Sequence, residues 1–307
     1  MHTNAMRQQN IGTDSRNLAV LDPYRPAATQ LPSVVADLGY LKPTDERPYH
    51  YTFEPPAGVP WQNCENDNRA MRITDARIFC RSPSVHREGF ELWDAPSAVT
   101  DFGDEKAVVK IYYAEMADLA CSVTGGARAY VFDHLVRKRE AGRPALTFGR
   151  RRENKQPASN GRVHNDYTEE SGARRPRLVV KDVESAAAIA AGRYSIVNIW
   201  RSIGGPIVDT PLAVVDARTV FAADLVASDV HYPGRTGEIY LLTHSPRHRW
   251  SYYSAMDRHE ALVFKQYDSQ VNGVARFTPH AAFDLPDPPA DAPLRESIEL
   301  RCLVVYD

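Results

Sequence analysis

The sequence predicts a mainly β protein, a barrel or jelly-roll sandwich with peripheral helices, and three observations carry that expectation. Beyond residue 193, short β-prone segments (194–201, 212–216, 238–243, 250–253, 261–267 and 294–306) follow one another with turn-forming residues between them. Helical periodicity is confined to two earlier stretches. The first 60 residues hold eight prolines, which break helices and central strands alike.

Taken in order, the proline-rich stretch up to about residue 60 reads as extended chain wrapping the rest, with residues 1–45 a partly flexible arm and apolar patches at 34–38 and 49–53 available for docking. Residues 70–79 and 88–92 read as strands. Over 104–123, Val108, Ile111, Tyr112, Met116, Leu119 and Val123 recur at three- and four-residue steps, an amphipathic helix stopped by Gly125-Gly126. Residues 129–135 return to a strand pattern. Two polar, arginine-rich segments, 150–161 and 169–177, read as solvated loops beside the central motif and as candidate lids. Residues 181–191 form a short helix capped by Asp182 and stopped by Gly192. The predicted strands of the second half follow, and no internal repeat is visible.

Composition narrows the function classes. A chain of 307 residues with 43% hydrophobic and 25% charged residues can bury a substantial core as one unit. A formal charge of −2 gives no electrostatic reason to expect nucleic acid or an anionic membrane as partner. No stretch of about 18 apolar residues occurs, and the polar N-terminus lacks the apolar centre of a signal peptide. Cys64, Cys80, Cys121 and Cys302 contain no CxxC pair, so neither a zinc ribbon nor a disulfide framework is indicated, and a cytoplasmic location is expected.

The chemistry centres on Gly161-Arg-Val-His164-Asn-Asp166-Tyr167. In an extended strand, residues two apart share a face, so His164 and Asp166 can converge on one point. With a second histidine they make a facial triad that leaves coordination positions open, an arrangement suited to non-haem Fe(II). Of ten histidines, His280 stands in the most apolar context, Pro279-His280-Ala-Ala-Phe283, while His244, His248 and His259 remain reserve ligands. In the last strand, Arg295, Ser297, Glu299 and Arg301 alternate with Leu294, Ile298, Leu300 and Cys302. Such a polar face is either the outside of a sheet or a barrel interior built to grip a carboxylate.

The order His164-x-Asp166, His280, Arg295-x-Ser297 resembles the signature of Fe(II)/2-oxoglutarate-dependent oxygenases. The wider text, with Asn198-Ile-Trp200-Arg201, Phe264-Lys265-Gln-Tyr-Asp268-Ser269 and the closing Arg-Glu-Ser-Ile-Glu-Leu-Arg, is similar to one branch. That branch holds the gibberellin-desaturase-like and aspergillic-acid-type hydroxylase/desaturase proteins and the small subunit of cephem methoxylase. The resemblance implies a double-stranded β-helix, a cupin-like jelly roll, over residues 46–307. It implies Fe(II) on His164, Asp166 and His280, with 2-oxoglutarate held by Arg295 and Ser297, and O2 as co-substrate. The implied reaction is hydroxylation, desaturation or oxidative cyclisation of a small specialised metabolite, with release of succinate and CO2. Arg301 is the rival to Arg295. Tyr167, Trp200, Arg201 and Lys265 are candidate pocket residues, although Trp200 serves equally as core packing. A homodimer is expected through the proline-rich arm. The alternatives are a cupin-like metal protein without 2-oxoglutarate and a non-catalytic partner subunit.

Overall fold

The computed structural model describes residues 32–139 and 160–307. The first part of the predicted arm and most of the predicted lid at 150–161 lie outside them. Fourteen strands are formed among the described residues: β1 (Ser33–Leu41), β2 (Tyr49–Tyr51), β3 (Asn66–Asp75), β4 (Phe90–Asp94), β5 (Arg128–Lys138), β6 (His164–Asn165), β7 (Tyr194–Ser202), β8 (Leu212–Val215), β9 (Leu225–Tyr232), β10 (Arg235–Leu242), β11 (Trp250–Tyr252), β12 (Glu260–Asp268), β13 (His280–Ala282) and β14 (Glu296–Val305). They build two sheets, ordered β1-β3-β11-β8-β13-β6-β10-β9-β2 and β4-β12-β7-β14-β5. The expected jelly-roll sandwich is the observed architecture.

The apolar alternation along each strand decides which face meets which layer. Val197 and Ile199 of β7, Val263 of β12 and Ile298, Leu300 and Cys302 of β14 pack outward against Met116, Leu119 and Ala120. Those three belong to a helical rod made of Glu105–Ala107, a π turn Val108–Tyr112 and Tyr113–Thr124, closed by Gly125 at φ 69°. Glycine adopts that left-handed conformation without penalty. The opposite face of the smaller sheet meets the larger one, where Trp200, Leu262 and Phe264 pack on Leu212 and Val214. Each fully buried large apolar side chain contributes about 1.5–3 kcal/mol, which is why both interfaces hold.

Both apolar patches of the predicted arm are strands of the larger sheet. Leu38, Tyr40 and Leu41 of β1 are fully buried, and β1 pairs with β3 along nine residues. Bridges from Gly39 to Arg162 and from Leu41 to Thr243 bring β1 back towards β6 and β10. This part of the sheet therefore curls around Tyr40, Val163, Trp250, Ala281 and Phe283.

The segment predicted as a charged loop at 169–177 is instead the helix Glu169–Val179. Thr168 and Ser171 form its capping box. Close approach to β12 requires Gly172, since a Cβ there would stand 2.4 Å from Tyr267 Cδ2. The next helix, Val183–Ala191, has the expected Asp182 cap, whose carboxylate accepts from Ser185 N at 2.8 Å.

Candidate metal centre

His164 opens β6 and His280 opens β13, and the two are direct antiparallel register partners. His280 also pairs with Val214, whose side chain faces the smaller sheet, so both imidazoles point between the sheets. Their ring centroids are 4.4 Å apart. Asp166 follows at once, with Oδ1 3.5 Å from His164 Nε2. One potential ligand atom from each of His164, Asp166 and His280 lies within 4.8 Å of the others. Strand pairing thus joins groups that stand far apart in the chain.

The amides around the motif fix this geometry. Asn165 Nδ2 donates to the carbonyls of Tyr167 and Gln266 at 2.7 and 2.9 Å, and Asn165 Oδ1 accepts from Thr278 N at 3.0 Å. Gln266 accepts from Asp166 N at 2.8 Å through Oε1 and donates to the Thr278 carbonyl at 2.9 Å through Nε2. Both side chains therefore tie the Asp166 segment to the residues leading into His280. His164 Nδ1 donates to the Arg162 carbonyl at 2.8 Å, which leaves its Nε2 as the free lone pair.

Electrostatics complete a ligand set. Burial pushes His164 down to about 4, helped by His280 and opposed by Asp166. Burial also pushes His280 down to about 4, with Asp166 opposing. Both imidazoles are neutral donors near pH 7. For Asp166, burial favours the acid form, but Arg301, His280, His164 and Asn198 together hold the carboxyl far below its usual range. A neutral pair of histidines beside an ionised carboxylate is what a divalent cation requires.

Ser297 lies on β14 and Arg295 just before it, 1% and 3% exposed, so the polar face of the last strand is interior rather than outer surface. Arg295 Nη1 donates to the Thr210 carbonyl at 2.9 Å, and its guanidinium carbon lies 5.6 Å from the centre of the Trp200 ring. Arg295 Nε and Ser297 Oγ are buried without a hydrogen-bond partner. Unmet donors in an interior cost about 1–3 kcal/mol each, and an anionic acceptor such as a carboxylate would satisfy both.

A cavity of about 530 Å³ opens onto two of the three triad residues, with His164, Asp166 and Arg301 on its wall beside Tyr51, Trp61, Arg137 and Tyr232. Four sequence-predicted pocket residues do not line it. Arg201 has the same parity as Ile199 and points to the helical rod, where its Nε donates to Tyr112 Oη at 2.9 Å. Lys265 shares the parity of Val263 and is buried against Asp268, with Nζ 2.7 Å from Oδ2. Tyr167 packs with Ile189, Tyr194 and Leu303, under the Arg175 guanidinium. Trp200 faces inward but serves as core and as the platform under Arg295. Of the reserve histidines, His248 is buried between Tyr40 and Asp224, and none of the three joins the cluster.

Sequence reasoning missed Asn165, Gln266 and the cavity residues Tyr51, Trp61 and Tyr232. It also missed Arg162, whose Nη1 approaches Cys64 Sγ at 3.1 Å. The available signals were local: Asn165 stands between two predicted ligands, and Gln266 is an amide inside a predicted strand.

Comparison with known proteins bears on the family and the fold. The family described as Oxidoreductase/YMDC permease-like domain matches residues 38–305. Hydroxylase/desaturase efuI of Hormonema carpetanum is 30% identical over 92% of this chain and 98% of its own length. The Fe(II)/2-oxoglutarate-dependent dioxygenase nvfI of Aspergillus novofumigatus is 31% identical over 83% of this chain and 90% of its own. The solved structure of the iron and alpha-ketoglutarate-dependent endoperoxidase NvfI superimposes with a TM-score of 0.78 at 27% identity, covering 89% of this chain and 98% of that one. The chain belongs to this oxidoreductase family, that of the hydroxylase/desaturase proteins and Fe(II)/2-oxoglutarate-dependent dioxygenases.

Proposed function

We propose that this protein is a non-haem Fe(II)/2-oxoglutarate-dependent dioxygenase that hydroxylates, desaturates or oxidatively cyclises a small specialised metabolite, releasing succinate and CO2. His164, Asp166 and His280 hold the iron, and Arg295 with Ser297 grips the far carboxylate of 2-oxoglutarate. The observation that carries the reading is the convergence of three potential ligand atoms within 4.8 Å, with His164 and Asp166 on the wall of a cavity. The unpartnered Arg295 Nε and Ser297 Oγ support the co-substrate assignment.

When bound, Fe(II) with 2-oxoglutarate and O2 supplies the oxidising power that breaks a C–H bond. The protein's part is position and charge. His164 and His280 present neutral nitrogen donors with no proton to shed near pH 7. Asp166 adds the single negative charge. Arg295, held by Thr210 and Trp200, offers a preorganised guanidinium. The aromatic side chains of Tyr51, Trp61 and Tyr232 shape the space for a substrate and displace water from it.

No helix among the described residues is long and apolar enough to cross a membrane. The four unpaired cysteines fit a reducing, cytoplasmic setting. A homodimer belongs to the same reading and is tested by sedimentation; so does a single oxygenase domain over 46–307, to whose larger sheet the preceding segment adds β1. For the activity, protein loaded with Fe(II) is expected to convert 2-oxoglutarate to succinate in air, and Asp166→Ala to lose that conversion. Equal succinate formation by the variant would overturn the assignment.

A further inference from the structure

The polar face of β14 continues past Ser297 to Glu299 and Arg301. We infer that Arg301 is a positioning residue for Asp166, acting with Asn198 to occupy the outer carboxylate oxygen so that only Oδ1 is presented to the metal. This rests on the assignment of His164, Asp166 and His280 as ligands.

The geometry is specific. Asp166 Oδ2 accepts from Asn198 Nδ2 at 2.8 Å and from Arg301 Nε at 2.9 Å. Oδ1, the oxygen left over, is the one that stands 3.5 Å from His164 Nε2. Both donors are anchored at a second point. Asn198 Nδ2 also donates to Glu299 Oε1 at 2.9 Å, and Arg301 Nη2 donates to the same oxygen at 3.2 Å. Two carboxylate acceptors on one amide nitrogen fix which way the Asn198 amide faces, since its oxygen would be repelled there. Arg301 Nη1 donates to Asp133 Oδ2 at 2.8 Å. Asn198, Arg301 and Asp133 are opposite one another on β7, β14 and β5, so three adjacent strands supply the brace.

Two consequences follow. All three nitrogens of Arg301 already donate to carboxylates, whereas Arg295 Nε and Ser297 Oγ are unpartnered. The structure therefore separates two arginines that share one strand face: Arg295 for the co-substrate, Arg301 for the ligand. Second, with Oδ2 engaged twice, Asp166 is held to coordination through one oxygen, which keeps open positions for the reactants. Lysine cannot replace Arg301, because an ammonium lacks the rigid fork that meets three acceptors at once.

The test is Mn(II) titration of the full-length protein without 2-oxoglutarate, read by the electron paramagnetic resonance signal of the free ion. Arg301→Gln, Arg301→Lys and Asn198→Ala are each expected to bind Mn(II) roughly 10–100-fold more weakly than wild type, the usual loss on removing a group that orients a ligand. The lysine variant is expected not to rescue. Unchanged Mn(II) affinity in the Arg301 variants with a raised 2-oxoglutarate requirement would overturn the inference and make Arg301 a co-substrate residue. Should circular dichroism show the Arg301 variants unfolded, Asn198→Ala decides, and wild-type affinity there overturns it. If wild type itself fails to bind Mn(II), or Asp166→Ala binds as tightly, it is the ligand assignment that fails.

Discussion

The metal-free protein should lose stability on acidification through its two ligand histidines. Burial pushes both His164 and His280 from an ordinary value of 6.5 down to about 4. As pH falls through 6.5, the unfolded chain takes up protons that the native state refuses. The stability contributed by these neutral imidazoles is therefore complete above pH 6.5 and is lost progressively towards pH 4, below which the native state is protonated too. Each imidazole contributes a slope of about 1.4 kcal/mol per pH unit in that window, or about 3 kcal/mol across it. The two contributions add, and because a proton on one ring disfavours a proton on the other, their coupling pushes native uptake to lower pH and does not reduce the loss. Asp166, held below its ordinary 3.8, acts only at lower pH. The assay is urea denaturation in the presence of a chelator, followed by circular dichroism at several pH values between 6.5 and 4.5. His280→Gln should have a shallower dependence than wild type by about 1.4 kcal/mol per unit. His86 and His248, also pushed down by burial, contribute alike to both proteins and cancel. Identical slopes would mean that His280 is charged in the native protein, and would refute the picture of a preformed neutral donor pair.

Other outcomes follow from the same geometry. His164→Ala or Asp166→Ala should abolish iron-dependent turnover while the far-ultraviolet circular dichroism stays that of wild type. Arg295→Ala should raise the KM for 2-oxoglutarate about 10–100-fold, the size of a lost charge-assisted hydrogen bond, with little change in Fe(II) affinity. Lys265→Met leaves Asp268 buried with Arg193 as its remaining cationic partner, at 3.1 Å. It should cost about 3–5 kcal/mol in denaturant stability without altering the KM for 2-oxoglutarate. Gly172→Ala should destabilise by about 1–3 kcal/mol, since the added methyl meets Tyr267.

Much of the site is legible along the chain because strand periodicity is local. His164 and Asp166 two residues apart, and the alternation from Arg295 to Arg301, each place their side chains on one face whatever the topology. The partnership of His164 with His280 is legible only as an order of motifs, since it depends on β13 pairing with β6. Parity explains two misplacements. Once Asn198 is known to face inward, Arg201 must face outward, and the same holds for Lys265 one residue before inward-facing Gln266. The helix Glu169–Val179 escapes notice because its faces are charged and Pro176 lies inside it, while its burial comes from Gly172 and Tyr267 across the fold. Strands β1 and β2 hide among prolines, which sit at their flanks rather than within them. Along the chain the face of Glu299 stays open between outer surface and interior until the facing strand supplies Asn198 to share it with Arg301.

The most direct test of the central claim is an anaerobic titration of the metal-free protein with Fe(II) and then 2-oxoglutarate, monitored for the weak visible charge-transfer band of a chelated keto acid. The account predicts a band that requires both additions and is absent in His280→Ala. A band of wild-type intensity in that variant, or none in a wild-type protein that binds Fe(II) tightly, would contradict it.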